Sequence, residues 1–195
     1  MSPRPEAPLP PAAPARRSPF GVGLAVAALA VLADRLSKLW LLDGVDIARV
    51  GPVEVLPFFD LVMVWNRGVS FGMFQSGDEA GRWMLIGLAL AISAVLVVWM
   101  WRADSGRLAV ALGLVVGGAL SNVHDRFIYG AVADFFLLHA GEWRFPAFNL
   151  ADSAITVGVA LLLLDSLLAP GEAKRAGAQP PNGSASGGPG DDEAR

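Results

Sequence analysis

The sequence predicts an all-α membrane protein in which four transmembrane helices carry a small extracytoplasmic β-sheet. Composition points there first: 54% of the residues are hydrophobic and only 17% are charged, where a soluble domain carries about 25%. The apolar residues are gathered into four runs, Phe20–Leu42, Trp83–Trp101, Leu108–Val123 and Ala151–Leu168, and the segments between them hold most of the polar chemistry. Basic residues also collect at one set of run ends, Arg16, Arg17, Arg102, Arg107, Lys174 and Arg175. That asymmetry marks the cytoplasmic side of a membrane protein.

Residues 1–19, rich in proline, alanine and arginine without apolar periodicity, read as a disordered cytoplasmic tail, and residues 169–195, rich in glycine, serine and charge, as a second one. The membrane domain is then 20–168, with helices about 20–42, 83–101, 108–123 and 151–168. The first run makes a helix of roughly 34 Å, enough for a hydrocarbon core of about 30 Å. It contains Asp34, Arg35 and Lys38 and no small-residue cleavage pattern follows it, so it is a span and not a removable signal peptide. The third and fourth runs are shorter, which puts their polar ends at or just inside one interface. With both termini inside, segments 43–82 and 124–150 face the other side. Val53–Val64 is rich in β-branched and aromatic residues, broken by Pro57 and followed by the turn Asn66-Arg67-Gly68. It predicts a β region at about 44–75, a small sheet lying on the membrane. Trp40, Trp65, Trp83, Trp99, Trp101 and Trp143 sit near the expected span ends, where indoles anchor at the interface.

The same composition narrows the chemistry. There is no cysteine, which removes disulfides, thiolate nucleophiles and thiolate metal sites. Only His124 and His139 are available as imidazoles, so neither a metal site nor any other cofactor is expected, and acid–base work falls to carboxylates or lysine. A net charge of -3 with scattered arginines gives no nucleic-acid footprint.

Several polar groups lie where a membrane disfavours them. Asp34, Ser37 and Lys38 share one face of the first helix, as a self-neutralising pair with Lys38 snorkelling outward, as part of a site, or as both. Arg35 lies off that face and reads as an interfacial anchor. After Gly117-Gly118-Ala119, which permits close helix contact, Asn122, Asp125 and Arg126 share a face and predict an Asp125–Arg126 network that organises a pocket. Asn149 reads as the N-cap of the last helix and Asp152 as a first-turn residue, which an ordinary helix start would also explain. Asp134 has no such excuse, since Val132–Phe136 is an extended or irregular segment with little to neutralise a charge. A carboxylate in hydrocarbon costs roughly 2.5 kcal/mol or more, so two of them imply a shared task. Converging carboxylates can hold one proton between them and present an acid and a base to one water. Glu54, Asp60, Asp78 and Glu79 read as solvated loop carboxylates, and Asp165 lies at the far end of the fourth helix.

Three other functions compete. A small ion- or proton-coupled transporter could string Asp34, Lys38, Asp134 and Asp152 into a pathway, but it would spread them through the membrane's depth rather than toward one side. An intramembrane serine protease could use Ser37 with Lys38 or Ser121 with His124; Ser121, His124 and Asp125 on one turn do not project as a nucleophile, base and orienter. A lipid-binding or assembly protein would have no catalysis at all.

Taken in order, Asp34-Arg-Leu-Ser-Lys38, Asn66-Arg-Gly-Val-Ser-Phe-Gly72, Gly117-Gly-Ala-Leu-Ser-Asn-Val-His-Asp-Arg126, Gly130-Ala-Val-Ala-Asp-Phe135 and Phe148-Asn-Leu-Ala-Asp-Ser153 resemble the bacterial lipoprotein signal peptidases, the type II signal peptidases. The resemblance spans residues 20–168. It implies an aspartic endopeptidase of the cytoplasmic (inner) membrane, with both termini cytoplasmic and an extracytoplasmic site, that cuts prolipoproteins just before a diacylglyceryl-modified cysteine. The dyad it implies is Asp134 and Asp152, with Asn122, Asp125, Arg126 and Asn149 around dyad and substrate and Asp34, Lys38, Asn66 and Gly68 as further pocket and support positions. Its implied partners are lipidated precursors and membrane lipid. Ser121 stands where the family often has glycine, and His124 where it usually has an apolar residue.

Overall fold

The computed structural model describes residues 19–68 and 79–168. Residues 1–18 and 169–195 of the two expected tails, Asp78, and the Val69–Gly72 part of one motif lie outside the described residues. So do Arg16, Arg17, Lys174 and Arg175 of the charge-asymmetry argument.

The long helices are α1 (Phe20–Leu39), α3 (Glu79–Trp101), α4 (Gly106–Tyr129) and α5 (Leu150–Leu168). Each is long and apolar enough to cross a membrane, α1 together with the π-helical turn Trp40–Gly44 that extends it. A single turn, α2 (Ile47–Val50), follows. The bundle is organised around α4: half of its spanning window is buried in protein, 50% against 17%, 17% and 11% in the other spans. Small residues make that possible. Gly117 meets the Ala27 backbone of α1, and Gly118 meets the Ala151 carbonyl and Ile155 of α5, so closely that a methyl group at either position would collide with main chain. Ala27, Met100, Ala109, Leu112 and Val116 fill the space left between the helices.

Two helix boundaries depart from expectation. The third helix does not stop at Val123 but continues to Tyr129, because Asn122 and Asp125 find buried partners inside the protein and need not reach water. It ends at Gly130, whose φ of +77° supplies the left-handed cap that glycine adopts without strain. The second begins at Glu79 rather than Trp83, and Arg82 Nη2 pairs with Glu79 Oε1 at 3.2 Å on its first turn.

The sheet is larger than the sequence implied. The expected hairpin is present as β1 (Val53–Leu56) and β2 (Phe59–Asn66), turning at Pro57-Phe58. Two further strands come from the second connection, β3 (Val132–Ala140) and β4 (Trp143–Arg144), giving the antiparallel order β1-β2-β3-β4. Within it Asp134 pairs with Val64 and Val132 with Asn66. A second small core, Leu41, Ile47, Ala133 and Phe135, seals the sheet onto the end of α1. Asp60, expected to be a solvated loop carboxylate, is instead a strand residue with its side chain 18% exposed, because β3 runs alongside and brings His139 Nε2 to 3.2 Å from its Oδ1. Glu54 and Glu79 are exposed, as expected.

The sheet and the polar cluster share one pole of the bundle. At the other, Val22, Gly106, Arg107, Leu164 and Asp165 close around a cavity of about 450 Å³. Arg107 Nε lies 3.5 Å from Asp165 Oδ1 there, far from the remaining chemistry. The tryptophans are all exposed near helix or strand ends.

Candidate active site

Where α5 begins, the sequence Asn149-Leu-Ala-Asp152 forms a reciprocal cap. The Asn149 side-chain oxygen accepts from the Asp152 amide at 2.9 Å, and the Asn149 amide donates to Asp152 Oδ2 at 3.2 Å. A short polar residue at the cap and an acid three positions later satisfy two amides that a helix start leaves unpaired. The expected N-cap is therefore present, and it fixes the first of the two carboxylates.

The second is placed by pairing. With β3 in register beside β2, Asn66 at the end of β2 reaches Asp134: its Nδ2 donates to Oδ2 at 3.0 Å, while its own Oδ1 accepts from the Gly68 amide at 3.1 Å. That turn-type bond orients the Asn66 amide. From the opposite side, Asn149 Nδ2 donates to Asp134 Oδ1 at 2.7 Å. One residue thus touches both carboxylates, Asp152 through its backbone and Asp134 through its side chain. The remaining Asp152 oxygen, Oδ1, accepts from Asn122 Nδ2 at 2.8 Å, and Asn122 Oδ1 lies 3.3 Å from Asn149 Nδ2.

Asp134 is 1% exposed, and its carboxyl is pushed up to about 6. Burial is the larger cause and the nearby Asp152 charge the next, while the Asn66 and Asn149 hydrogen bonds and the Lys38 charge pull the other way. The Asp152 charge thus adds to burial in making Asp134 harder to ionise. Arg126 interacts electrostatically with Asp134, Asp152 and Asp125, and its Nη1 donates to the Asn122 carbonyl at 3.3 Å.

Behind this layer lies a buried charge cluster. Lys38 Nζ is 2.7 Å from Asp34 Oδ2 and 2.6 Å from Asp125 Oδ2, with all three side chains fully buried. Lys38 does not snorkel outward, because two carboxylates meet it inside. Nor does Asp125 pair with its neighbour Arg126 as expected. Its partners are Lys38 and Arg35, whose Nη1 lies 2.8 Å from Oδ1, since side chains one position apart diverge around a helix. Arg35, read from sequence as an interfacial anchor, is a member of the cluster. Charge balance is the signal that could have found it: two buried acids and one lysine call for a second cation. Ser121 Oγ donates to Asp34 Oδ2 at 2.5 Å and Ser37 Oγ to the Asp34 carbonyl at 2.8 Å, so neither hydroxyl is given to Lys38 or His124 as a serine protease would need. His124 is half-exposed, with Nδ1 3.9 Å from Asp125.

The family model described as signal peptidase (SPase) II matches residues 26–168. The chain belongs to the signal peptidase II family. It is similar to the lipoprotein signal peptidase of Methylorubrum extorquens, 56% identical over 149 residues that make up 76% of this chain and 86% of that one. The lipoprotein signal peptidase of Methylobacterium radiotolerans is 50% identical over 82% of this chain and 93% of its own. A solved structure titled as a bacterial membrane enzyme superposes with a TM-score of 0.64 at 27% identity, covering 76% of this chain and 88% of that chain. A signal peptidase II is a hydrolase, and the four apolar helices make this one a multi-pass membrane protein.

Proposed function

We propose that this signal peptidase II is an aspartic endopeptidase that removes the signal peptide of prolipoproteins by cutting before a diacylglyceryl-modified cysteine, with Asp134 and Asp152 as its catalytic residues. The observation that carries the reading is the single residue Asn149, which bonds to one carboxylate from β3 and one from the first turn of α5. The relatives named lipoprotein signal peptidase support the substrate class.

In this reading Asp134, the acid with the raised affinity for protons, supplies the proton, and Asp152, in the first turn of α5, acts as the base. Asp152 takes a proton from water as the water oxygen attacks the scissile carbonyl carbon, and Asp134 passes its proton to the carbonyl oxygen. The tetrahedral intermediate then collapses: Asp134 recovers a proton from a hydroxyl, Asp152 gives its proton to the amide nitrogen, and the C–N bond breaks. Both carboxyls return to their starting states with no acyl-enzyme. Arg126 places positive charge beside the intermediate, and Asn66, Asn122 and Asn149 hold the carboxylates in the rotamers this requires. The sheet pole is the extracytoplasmic one in this reading. Arg102 and Arg107, at the opposite pole, then face the cytoplasm together with both termini.

Mass spectrometry of the products from a diacylglyceryl-modified precursor tests the proposal. The expected pair is a signal peptide with a free carboxylate and a polypeptide beginning at the lipidated cysteine; a cut elsewhere, or loss of activity to an acylating serine reagent, contradicts it. The proton held by Asp134 has its own signature. Above the free enzyme's upper pKa, kcat/KM falls as Asp134 ionises, and a substrate lying over the dyad withdraws further water, so the matching limb in kcat lies at higher pH. Coincident limbs would place the proton elsewhere.

A further inference from the structure

Lys38 makes no contact with either dyad carboxylate, yet its two partners are placed with unusual economy. Asp34 Oδ1 accepts from the backbone amide of Ala151 at 2.9 Å, and Asp125 Oδ2 accepts from the backbone amide of Ala133 at 3.3 Å. Ala151 immediately precedes Asp152, and Ala133 immediately precedes Asp134. Each buried acid therefore grips the main chain one residue ahead of a dyad member, and one ammonium on α1 holds the two acids together. We infer that Lys38 is a positioning residue that sets the separation of the dyad, acting through Asp34 on α5 and through Asp125 on β3. The inference rests on the reading of Asp134 and Asp152 as the dyad.

The chemistry of the cluster fits a spacer better than a stability device. Taking an ammonium and two carboxylates out of water costs several kcal/mol per ion before their attraction is counted, and packed apolar side chains would hold the helices at least as well. What ions add is a defined distance. An ammonium is a compact charge with tetrahedral donors and draws both carboxylates to hydrogen-bond range, 2.7 and 2.6 Å here, whereas a planar guanidinium would hold them farther apart. Arg35 neutralises the second acid from its other oxygen, which leaves the cluster balanced. Ser121 adds a hydroxyl to the Asp34 carboxylate, at the same Oδ2 that meets Lys38. Groups that face Asp134 electrically are Asp152 from α5, Arg126 from α4 and Lys38 from α1, with Asn66 and Asn149 as its hydrogen-bond donors.

The test compares Lys38→Met, the neutral-pair variant Asp34→Asn/Lys38→Met, and Asp134→Asn on a lipidated precursor in vesicles. The double variant removes one charge of each sign, leaves Asp125 paired with Arg35 and keeps an amide oxygen for Ala151. Both Lys38 variants are expected to lose about 100-fold in kcat with KM within about threefold, the cost of slightly misplaced reacting groups. In Lys38→Met the upper limb of kcat/KM against pH also moves to higher pH, because a cation that favours ionised Asp134 is gone. A role in folding alone would shrink the active fraction and leave that limb in place. Wild-type kcat in a folded Lys38 variant, or an unmoved limb in Lys38→Met, overturns the inference. Should Lys38→Met fail to fold, the double variant decides, and its failing as well would make the cluster a matter of stability and overturn the positioning role. Asp134→Asn keeps the two questions apart: full cleavage by it sinks the dyad reading, whatever the Lys38 variants do.

Discussion

A precursor whose cysteine carries no diacylglycerol is expected to be cut at no more than about one hundredth of the kcat/KM of its lipidated twin. The dyad lies at one pole of a bundle whose other surfaces are apolar helix faces: Leu29, Leu32, Leu36, Val95 and Leu167 are among the large side chains more than half exposed. Acyl chains lie beside such faces as readily as membrane lipid does, and burying them contributes about 0.8 kcal/mol for each methylene. Two chains fix the height of the modified cysteine, and with it the height of the bond before it, against carboxylates that are themselves fixed by Asn66, Asn122 and Asn149. Without the chains the peptide must find that height and register unaided. Synthetic precursors differing only at the cysteine, assayed in the same vesicles, measure the ratio. Equal rates would show that the peptide alone supplies the positioning.

Much of this arrangement was legible in the sequence because its signals are local. The spans follow from runs of apolar residues, the β1–β2 hairpin from β-branched residues broken at Pro57, and the cap of α5 from an asparagine three residues before an aspartate. Gly117 and Gly118 marked the face on which α4 meets its neighbours. Apart from the earlier start of α3, the misses are matters of long-range pairing. Nothing near Val132–Ala140 says that β2, some seventy residues earlier, will be its neighbour, so the sheet was expected from one connection when it is built from two. The Asp60–His139 contact was lost with that pairing. In the same way Asp125 was matched to the arginine next to it, while its actual partners, Arg35 and Lys38, come from a helix ninety positions away. Helix periodicity shows which face a charge occupies but not which helix that face meets. The extension of α4 to Tyr129 has the same origin, since polar residues end a span only when no buried partner awaits them.

The central claim is that the two acids themselves drive water onto the peptide bond. Each carboxylate oxygen of the pair accepts a hydrogen bond, from Asn66 and Asn149 on Asp134 and from Asn122 and the Asn149 amide on Asp152, so an asparagine at either position keeps the side chain's size and shape and one of the two acceptors, at the cost of about one hydrogen bond where its NH2 faces a donor. What it removes is the ability to hold or release a proton. General acid–base catalysis contributes about a hundred- to ten-thousand-fold for a positioned group, and here both groups act on one water, so losing either stops the cycle. Asp134→Asn also removes the cost of ionising a buried acid beside Asp152, which offsets the lost acceptor, and is expected to fold about as well as the unaltered chain at neutral pH. The decisive measurement is the single-turnover rate of lipidated-precursor cleavage by Asp134→Asn and by Asp152→Asn, each matched to the unaltered enzyme in helicity and in the amount inserted into vesicles. A fall of about 1,000-fold or more in both is the expected result. Cleavage by either variant within about threefold of the unaltered rate would mean that the bond is broken by some other group.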